Sequence, residues 1–334
     1  MFDTDFTRDQ ASALLSAMLT VAPDRREDHQ PSLHFAQGIR DHLFQMPDLD
    51  LDSLPESTPL SFTKAFPEPH KARLAVQILI VMPYLSGQLH DDDIERVDRY
   101  AQTIGFEPSA LRDLKNIGHG RIKRAMIDYS RRAVDEFLPA ATLNKTKAII
   151  REIHSLVGDA KRAVEFEALS ECSEGTLGKT IHTFYRARGF SFPGEKGNIG
   201  ESAVEHDCVH ILTGINTDMA GEIAVGAVEA AMINSEVGWE MAAEVLIDFH
   251  LGIAWTLPSG IKAGTMNFDP ELFSQGLAIG RAINIDLIKE WNYQDDLNTC
   301  INKLRKRFNI EGVNIINMPA PGKDRNAKTV YWNF

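Results

Sequence analysis

Positive charge is in short supply in this chain. Its 35 lysines and arginines are outnumbered by 47 aspartates and glutamates, for a formal net charge of −12. A surface of that sign repels a phosphate backbone and has no pull toward an anionic membrane, so nucleic acid is excluded as a partner. Cysteine is scarce as well. Cys172, Cys208 and Cys300 are odd in number, far apart and without the CxxC spacing of a zinc knuckle or redox motif, and a reducing, cytoplasmic compartment is expected. Long apolar runs are missing: the longest, Leu74 to Leu85, is broken by Gln77 and Pro83 and falls short of the roughly 20 residues that span a bilayer. The opening MFDTDFTRDQ is acidic where a signal peptide is basic. The expectation is a protein not integral to a membrane, with peripheral contact left open. There is also no βαβ rhythm, no Gly-rich phosphate loop, no repeat of fixed period and no low-complexity tract.

What is there is helical periodicity. The 334 residues, 43% of them apolar, suffice for two domains with a core each. Apolar residues recur at three- and four-residue spacing in ASALLSAMLTVA, RLAVQILIVMPYL, IERVDRYAQTI, EIAVGAVEAAMI, EMAAEVLIDFHLGIAW, LAIGRAINIDLIKEW and LNTCINKLRKRF. Strand-like alternation is confined to VNIIN and TVYWNF near the C-terminus, which read equally well as extended coil. The fold class is therefore all-α. Asp91, Asp92 and Asp93 suit the positive start of a helix that Gly105 can close, and Pro55, Pro59, Pro67 and Pro69 mark an irregular connection. A boundary near Pro139, within 135–150, divides the chain into helical domains over 1–140 and 141–312, with a tail over 313–334.

Within EHDCVHILTGINTDMAGE, residues 205–222, lies HDCVH. On a helix His206 and His210 lie about 40° apart, and Asp207 falls in the same arc of about 100°. Glu222 cannot continue that helix, because the intervening chain would carry it roughly 24 Å away from His206. The sequence supplies a reversal instead: Gly214 can take the left-handed C-terminal conformation, GINTD is turn-rich, and Asp218 can cap a second helix containing Glu222. Such a helical hairpin sets Glu222 opposite the histidines. Two imidazoles with one or two carboxylates suit zinc, iron(II), manganese or cobalt and leave positions for water or substrate. The zincin pattern HExxH differs, with a general-base glutamate where this chain has the shorter Asp207. Against the metal reading stands chance, since a chain with 11 histidines easily contains an HxxxH pair that is only a polar patch.

Other residues carry weaker signals. His182 and His250 are lone histidines on apolar helical faces, where core packing is the expected role. Arg186 and Arg188 can clamp a carboxylate or phosphate head group of a substrate with their fork of donors; the alternative is pairing with nearby acids or solvent. The apolar helices EIAVGAVEAAMI and EMAAEVLIDFHLGIAW, rich in small residues, can line a channel for a greasy ligand or simply form core.

HDCVHILTGINTDMAGEIAV resembles the HDxxH(x11)E motif of the coenzyme Q (ubiquinone) biosynthesis protein 4 family, with 11 residues between His210 and Glu222. EGTLGKTIHTFYRARGF is similar to the segment preceding that motif. GLAIGRAINIDLIKEWNYQDDLNTCINKLRKRFNI is similar to the family's closing helices and final LRxxLgI. The resemblance spans roughly residues 165–312. It implies an all-helical fold, a divalent metal, zinc ahead of iron, manganese or cobalt, on His206, Asp207, His210 and Glu222, and a hydrophobic passage for a polyprenyl tail. It also implies peripheral membrane action in ubiquinone synthesis, where the family is linked to oxidative removal of a ring carboxylate and to organising partner enzymes. The chain departs from the family in its N-terminal domain and in the arm GFSFPGEKGNIGESAVE, which is not the basic stretch expected. YLSGQLHDDDIERVDRYAQTIGFEPSALRDL looks like a tellurite-resistance TerB-like domain, with Ser86 in place of the usual aspartate, so a solvated acidic helix start is expected there rather than a metal site.

The expected function is metal-dependent oxidative decarboxylation and hydroxylation of a prenylated or otherwise lipidic aromatic ring. Asp207 is either a fourth ligand or a group that orients an imidazole. The competing reading is a lipid-binding or scaffold protein whose metal staples two helices. Expected partners are a hydrophobic or prenylated small molecule and biosynthetic enzymes, with homo-oligomerisation left open.

Overall fold

The three- and four-residue spacing of apolar side chains forms helices over most of the described residues, but LAIGRAINIDLIKEW is helical only as far as Ala282 and continues as bends and turns. The computed structural model describes residues 6–24, 30–137, 158–196, 198, 200, 202–233, 235–254 and 262–310, and these contain fourteen α-helices and no strand. VNIIN, TVYWNF and most of the boundary region 135–150 lie outside the described residues.

The N-terminal half contains α1 (Arg8–Val21), α2 (Pro31–Gly38), α3 (Pro59–Ala65), α4 (Pro69–Val81), α5 (Asp91–Thr103), α6 (Ser109–Gly118) and α7 (Ile122–Phe137). A capping box starts α1: the Thr7 hydroxyl accepts from Gln10 N, and the Gln10 side chain accepts from Thr7 N. The proline-rich connection is more regular than expected, because Pro59 and Pro69 are the first residues of α3 and α4. There the fixed φ of proline is already helical and its missing N–H would have had no partner. Asp91 and Asp92 are exposed at the start of α5 as expected, but Asp93 is buried and pairs with Arg96 at 2.8 Å. Gly105, at φ 68°, ends this helix, and Phe106 N returns to Ala101 O at 3.0 Å.

The C-terminal half contains α8 (Ala160–Glu167), α9 (Leu177–Arg188), α10 (Ser202–Thr213), α11 (Met219–Ile233), α12 (Glu236–Phe249), α13 (Pro270–Ala282) and α14 (Ile301–Arg307). Helix α11 is its axis. Met219, Ile223, Ala227 and Ala230 join a core that continues through the N-terminal half, whereas Ala224, Val225, Val228 and Met232 join a second core with α9, α10 and the closing helices. The small residues serve close packing. A Cβ on Gly226 would meet Val245 at 2.6 Å, and Cβ atoms on Gly276 and Gly280 of α13 would lie 2.5 Å and 2.1 Å from the Ala224 and Val228 carbonyls of α11. After α14, Asn309 takes φ 59°, and Ile310 N closes on Arg305 O at 2.8 Å. Asparagine is one of the few residues that accept this conformation readily.

The halves pack against each other through both apolar and polar contacts. Phe35 sits edge-on to Phe268 and Phe273. His250, buried at the end of α12, lies 3.3 Å from Leu85 O through Nε2 and accepts from Phe268 N at 3.0 Å through Nδ1. Its place is within the core, as expected, with both ring nitrogens engaged.

Candidate metal centre

The hairpin forms by the local chemistry of its turn. Gly214 takes φ 77° after α10, and its N–H reaches His210 O at 2.8 Å. Asp218 caps α11, its Oδ1 accepting from Gly221 N and its carbonyl from Glu222 N, each at 2.8 Å. Gly221 is demanded by space, since a Cβ there would lie 1.9 Å from Asn216 O. Arg305 secures the other end by donating to the carbonyls of Leu212 at 2.7 Å and Ile211 at 3.2 Å, two acceptors that the end of α10 leaves without helical partners.

The two arms bring three donors together. His206 Nε2 lies 3.2 Å from both Glu222 Oε2 and His210 Nε2, and His210 Nε2 lies 3.5 Å from Glu222 Oε2. Among the described residues this is the group of His, Cys, Asp or Glu whose ligand atoms all lie within 4.8 Å of one another. A tetrahedral site with bonds of about 2.0–2.1 Å has edges of about 3.3–3.4 Å, so the triangle is sized for a divalent first-row cation.

The outer ring nitrogens fix the inner ones. His210 Nδ1 faces Ile215 O at 3.1 Å, and His206 Nδ1 faces a Glu229 carboxylate oxygen at 2.9 Å. Each of these oxygens is an acceptor, so each Nδ1 carries hydrogen and each Nε2 is turned toward the triangle. Phe184 lies near the His210 ring, 6.4 Å between centroids, and the Arg188 guanidinium lies over the Phe184 ring at 3.9 Å.

Charge is concentrated here despite burial. Burial opposes a charged His206, but Glu229 and Glu222 outweigh it and raise its pKa well above the ordinary imidazole value. Burial likewise pushes the Glu222 carboxyl up, yet the facing His210 and His206 hold it well below the usual range. The cation-free cluster is thus an imidazolium between carboxylates, with a proton where a metal ion would bind.

Asp207 stands outside the triangle. Its carboxylate is buried and hydrogen-bonded to Tyr185; burial raises the pKa of both groups, that of Tyr185 well above its ordinary value with the Asp207 charge adding to the effect. The three candidate donor atoms come from His206, His210 and Glu222, and Asp207 is not among them. Cys208, between the histidines, is fully buried in the second core, and burial pushes its thiol well up, so it stays protonated.

The arginines are engaged within the chain. Arg186 forms ion pairs with Glu167 and, at 2.8 Å, with Glu195, and it lies over Phe192 at 4.1 Å. That is the pairing with acids which the sequence left open as the alternative to an anion clamp. Arg188 donates through Nε to the Thr217 hydroxyl at 3.0 Å, bracing the GINTD turn. His182, half-buried, lies 3.3 Å from Glu167.

Glu229, Tyr185 and Arg305 are site residues that sequence reasoning passed over. A signal existed for Glu229. It follows Glu222 by seven residues in an otherwise apolar helix, which returns it to the same face two turns later. Tyr185 and Arg305 carried no such local mark.

Comparisons with protein-family models, with curated proteins and with solved structures find no match for this chain. The chemistry of the site therefore rests on its donor set and geometry.

Proposed function

We propose that the chain holds one divalent cation on His206, His210 and Glu222, zinc ahead of iron(II), manganese or cobalt, and acts on an aromatic or quinone-like carboxylate that bears a lipidic tail. The observation that carries this reading is the donor triangle with both Nδ1 atoms tied back. Three protein donors leave a coordination position for water or substrate, as in catalytic rather than closed structural zinc sites. Edges of 3.2 to 3.5 Å support tetrahedral zinc, while two histidines and a carboxylate also suit non-haem iron(II). When bound, the cation supplies Lewis-acid polarisation of a carboxylate or phenolate oxygen.

The roles of the chain's own groups follow from the geometry. His206 and His210 would serve as neutral nitrogen donors and Glu222 as the anionic donor from the opposite arm. The substrate class comes from the resemblance of this hairpin to the ubiquinone biosynthesis protein 4 motif. In the net reaction the bond between ring and carboxylate carbon breaks and carbon dioxide leaves. One atom of dioxygen forms the new ring hydroxyl, which takes its proton from solvent, and the other leaves as water with two electrons from an external reductant and two further protons. No described helix is long and apolar enough to cross a membrane, and a lipid-tailed substrate would be met peripherally at a membrane surface, where biosynthetic partner enzymes also work. The competing reading is a scaffold with a structural cation, favoured by the fact that the donors come from both arms of one hairpin.

Elemental analysis of the purified full-length protein, with mass spectrometry of copurifying small molecules and lipids, tests this reading. The expected result is about one metal per chain together with a lipidic aromatic compound, and loss of the metal in His210→Ala with helical circular dichroism retained. Folded protein that takes up no zinc, iron or manganese would overturn it. A bound metal with four protein ligands would favour the scaffold.

A further inference from the structure

His206 and His210 offer the same atom, Nε2, to the candidate centre, yet they are held from behind by different chemistry. His210 Nδ1 donates to a neutral backbone carbonyl, Ile215 O, at 3.1 Å, whereas His206 Nδ1 donates to the carboxylate of Glu229 at 2.9 Å. Glu229 lies well inside α11 and is 3% exposed. Packing alone gives no reason for a carboxylate at this position. The neighbouring helices meet α11 through small and apolar residues, with Gly226 against Val245, Gly276 against Ala224 and Gly280 against Val228. Burying a carboxylate is unfavourable unless a partner compensates it, and the partner in hydrogen-bond contact is the outer nitrogen of one histidine of the triangle.

A carboxylate behind a metal-facing imidazole does three things: it selects the tautomer with Nε2 free, fixes the plane of the ring, and raises the electron density at Nε2. A carbonyl does the first two and contributes less to the third. We infer that Glu229 is the positioning residue of this centre, acting through His206 without touching the cation and making His206 the stronger of the two imidazole donors. This inference rests on the metal reading proposed above. It also accounts for the two acidic residues of α11 standing two turns apart on one face: Glu222 faces the cation directly and Glu229 backs the ligand beside it.

The test measures Zn2+ and Co2+ affinity by chelator competition in the full-length wild-type protein, Glu229→Gln and Glu229→Met, together with the visible absorption of the Co2+ forms. Glutamine keeps an acceptor for the Nδ1 hydrogen but loses the charge; methionine fills similar volume with no acceptor of comparable strength. Removing such a partner weakens metal binding by about 10- to 100-fold, so the glutamine variant is expected near the lower figure and the methionine variant near the upper. The Co2+ band should shift in both. Where the methionine variant fails to fold, the glutamine variant carries the comparison. Equal affinities and an unchanged Co2+ band in folded variants would overturn the inference and leave the metal reading standing. A wild-type protein that binds neither ion would overturn both. Affinities that follow the thermal midpoints of the metal-free variants, rather than acceptor strength, would reduce Glu229 to a packing residue and also overturn the inference.

Discussion

Two charged clusters, one on α12 and its neighbours α6 and α7 and one in the hairpin, differ in the kind of cation each contains. At the contact between the halves, Arg132 of α7 bonds Glu240 of α12 at 2.9 Å and Asp113 of α6, while the Tyr129 hydroxyl donates to Glu244. In the hairpin, His206 and His210 face Glu222 and Glu229. A guanidinium never gives up its proton and offers a rigid fork of donors, so the first cluster is complete as it stands. An imidazole near neutrality can exchange its proton for a metal ion. Counting acids would not separate the two clusters; the nature of the counter-ion does.

The sharpest way to break the comparison is Arg132→Ala. It leaves Glu240 and Asp113, both buried, without their guanidinium, and is expected to cost about 3–5 kcal/mol in urea unfolding. Metal content should stay unchanged, the reverse of the result expected for His210→Ala. A metal content that fell with Arg132→Ala would mean that the clusters are one unit.

Gly221→Ala sharpens the comparison from the hairpin side. The added methyl group would collide with Asn216 O, and overpacking of this kind costs about 1–3 kcal/mol. Because Glu222 is the next residue, chelator competition should also show weaker metal binding, whereas the Arg132 cluster should be untouched.

The smallest expected effect is a difference in pH dependence. Burial, aided by Glu240 and opposed by Arg132, raises the Asp113 pKa to about 7. Its unfolded value is about 3.9, so its stabilising contribution is complete below that value and lost as pH rises from about 4 to about 7. Asp113→Asn should flatten this slope in thermal melts. In the metal-free hairpin, the raised His206 pKa gives stability that is present below about 6.5 and lost as pH rises through the folded value. The depressed Glu222 pKa gives stability that is present above about 4.3 and lost as pH falls through the folded value. Zn2+ competes with the His206 proton, so the thermal shift on adding Zn2+ should grow between about pH 6 and pH 8. A Zn2+ shift that shrinks over this range would contradict the proton-for-metal exchange.

Much of the hairpin was legible in the sequence because its signals are local. Gly214, Asp218 and the four-residue spacing of the histidines each act within a turn or two of themselves, and the all-α class follows from the same short-range periodicity. Asp207 shows the limit of that reasoning. Helical phase places it near the histidines, but Tyr185, on a different helix, hydrogen-bonds its carboxylate. Arg188 is similar: its charge suggested an anion, and its actual partners include a hydroxyl in the turn and an aromatic ring one turn back on its own helix. The prolines at 59 and 69 mark an irregular connection in the sequence because a proline at the first position of a helix resembles one in a loop until the helix beyond it is seen.

The sequence by itself determined the helices, the turn that reverses at Gly214, and the candidacy of His206, His210 and Glu222, because hydrogen bonds and side-chain periodicity within a segment depend on near neighbours. Only the tertiary structure decided which donors meet, that Glu229 stands behind His206 while Asp207 turns to Tyr185, and that α11 is shared by two cores. Those outcomes depend on the angle and depth at which helices cross, which the small residues at Gly226, Gly276 and Gly280 permit but no single segment specifies.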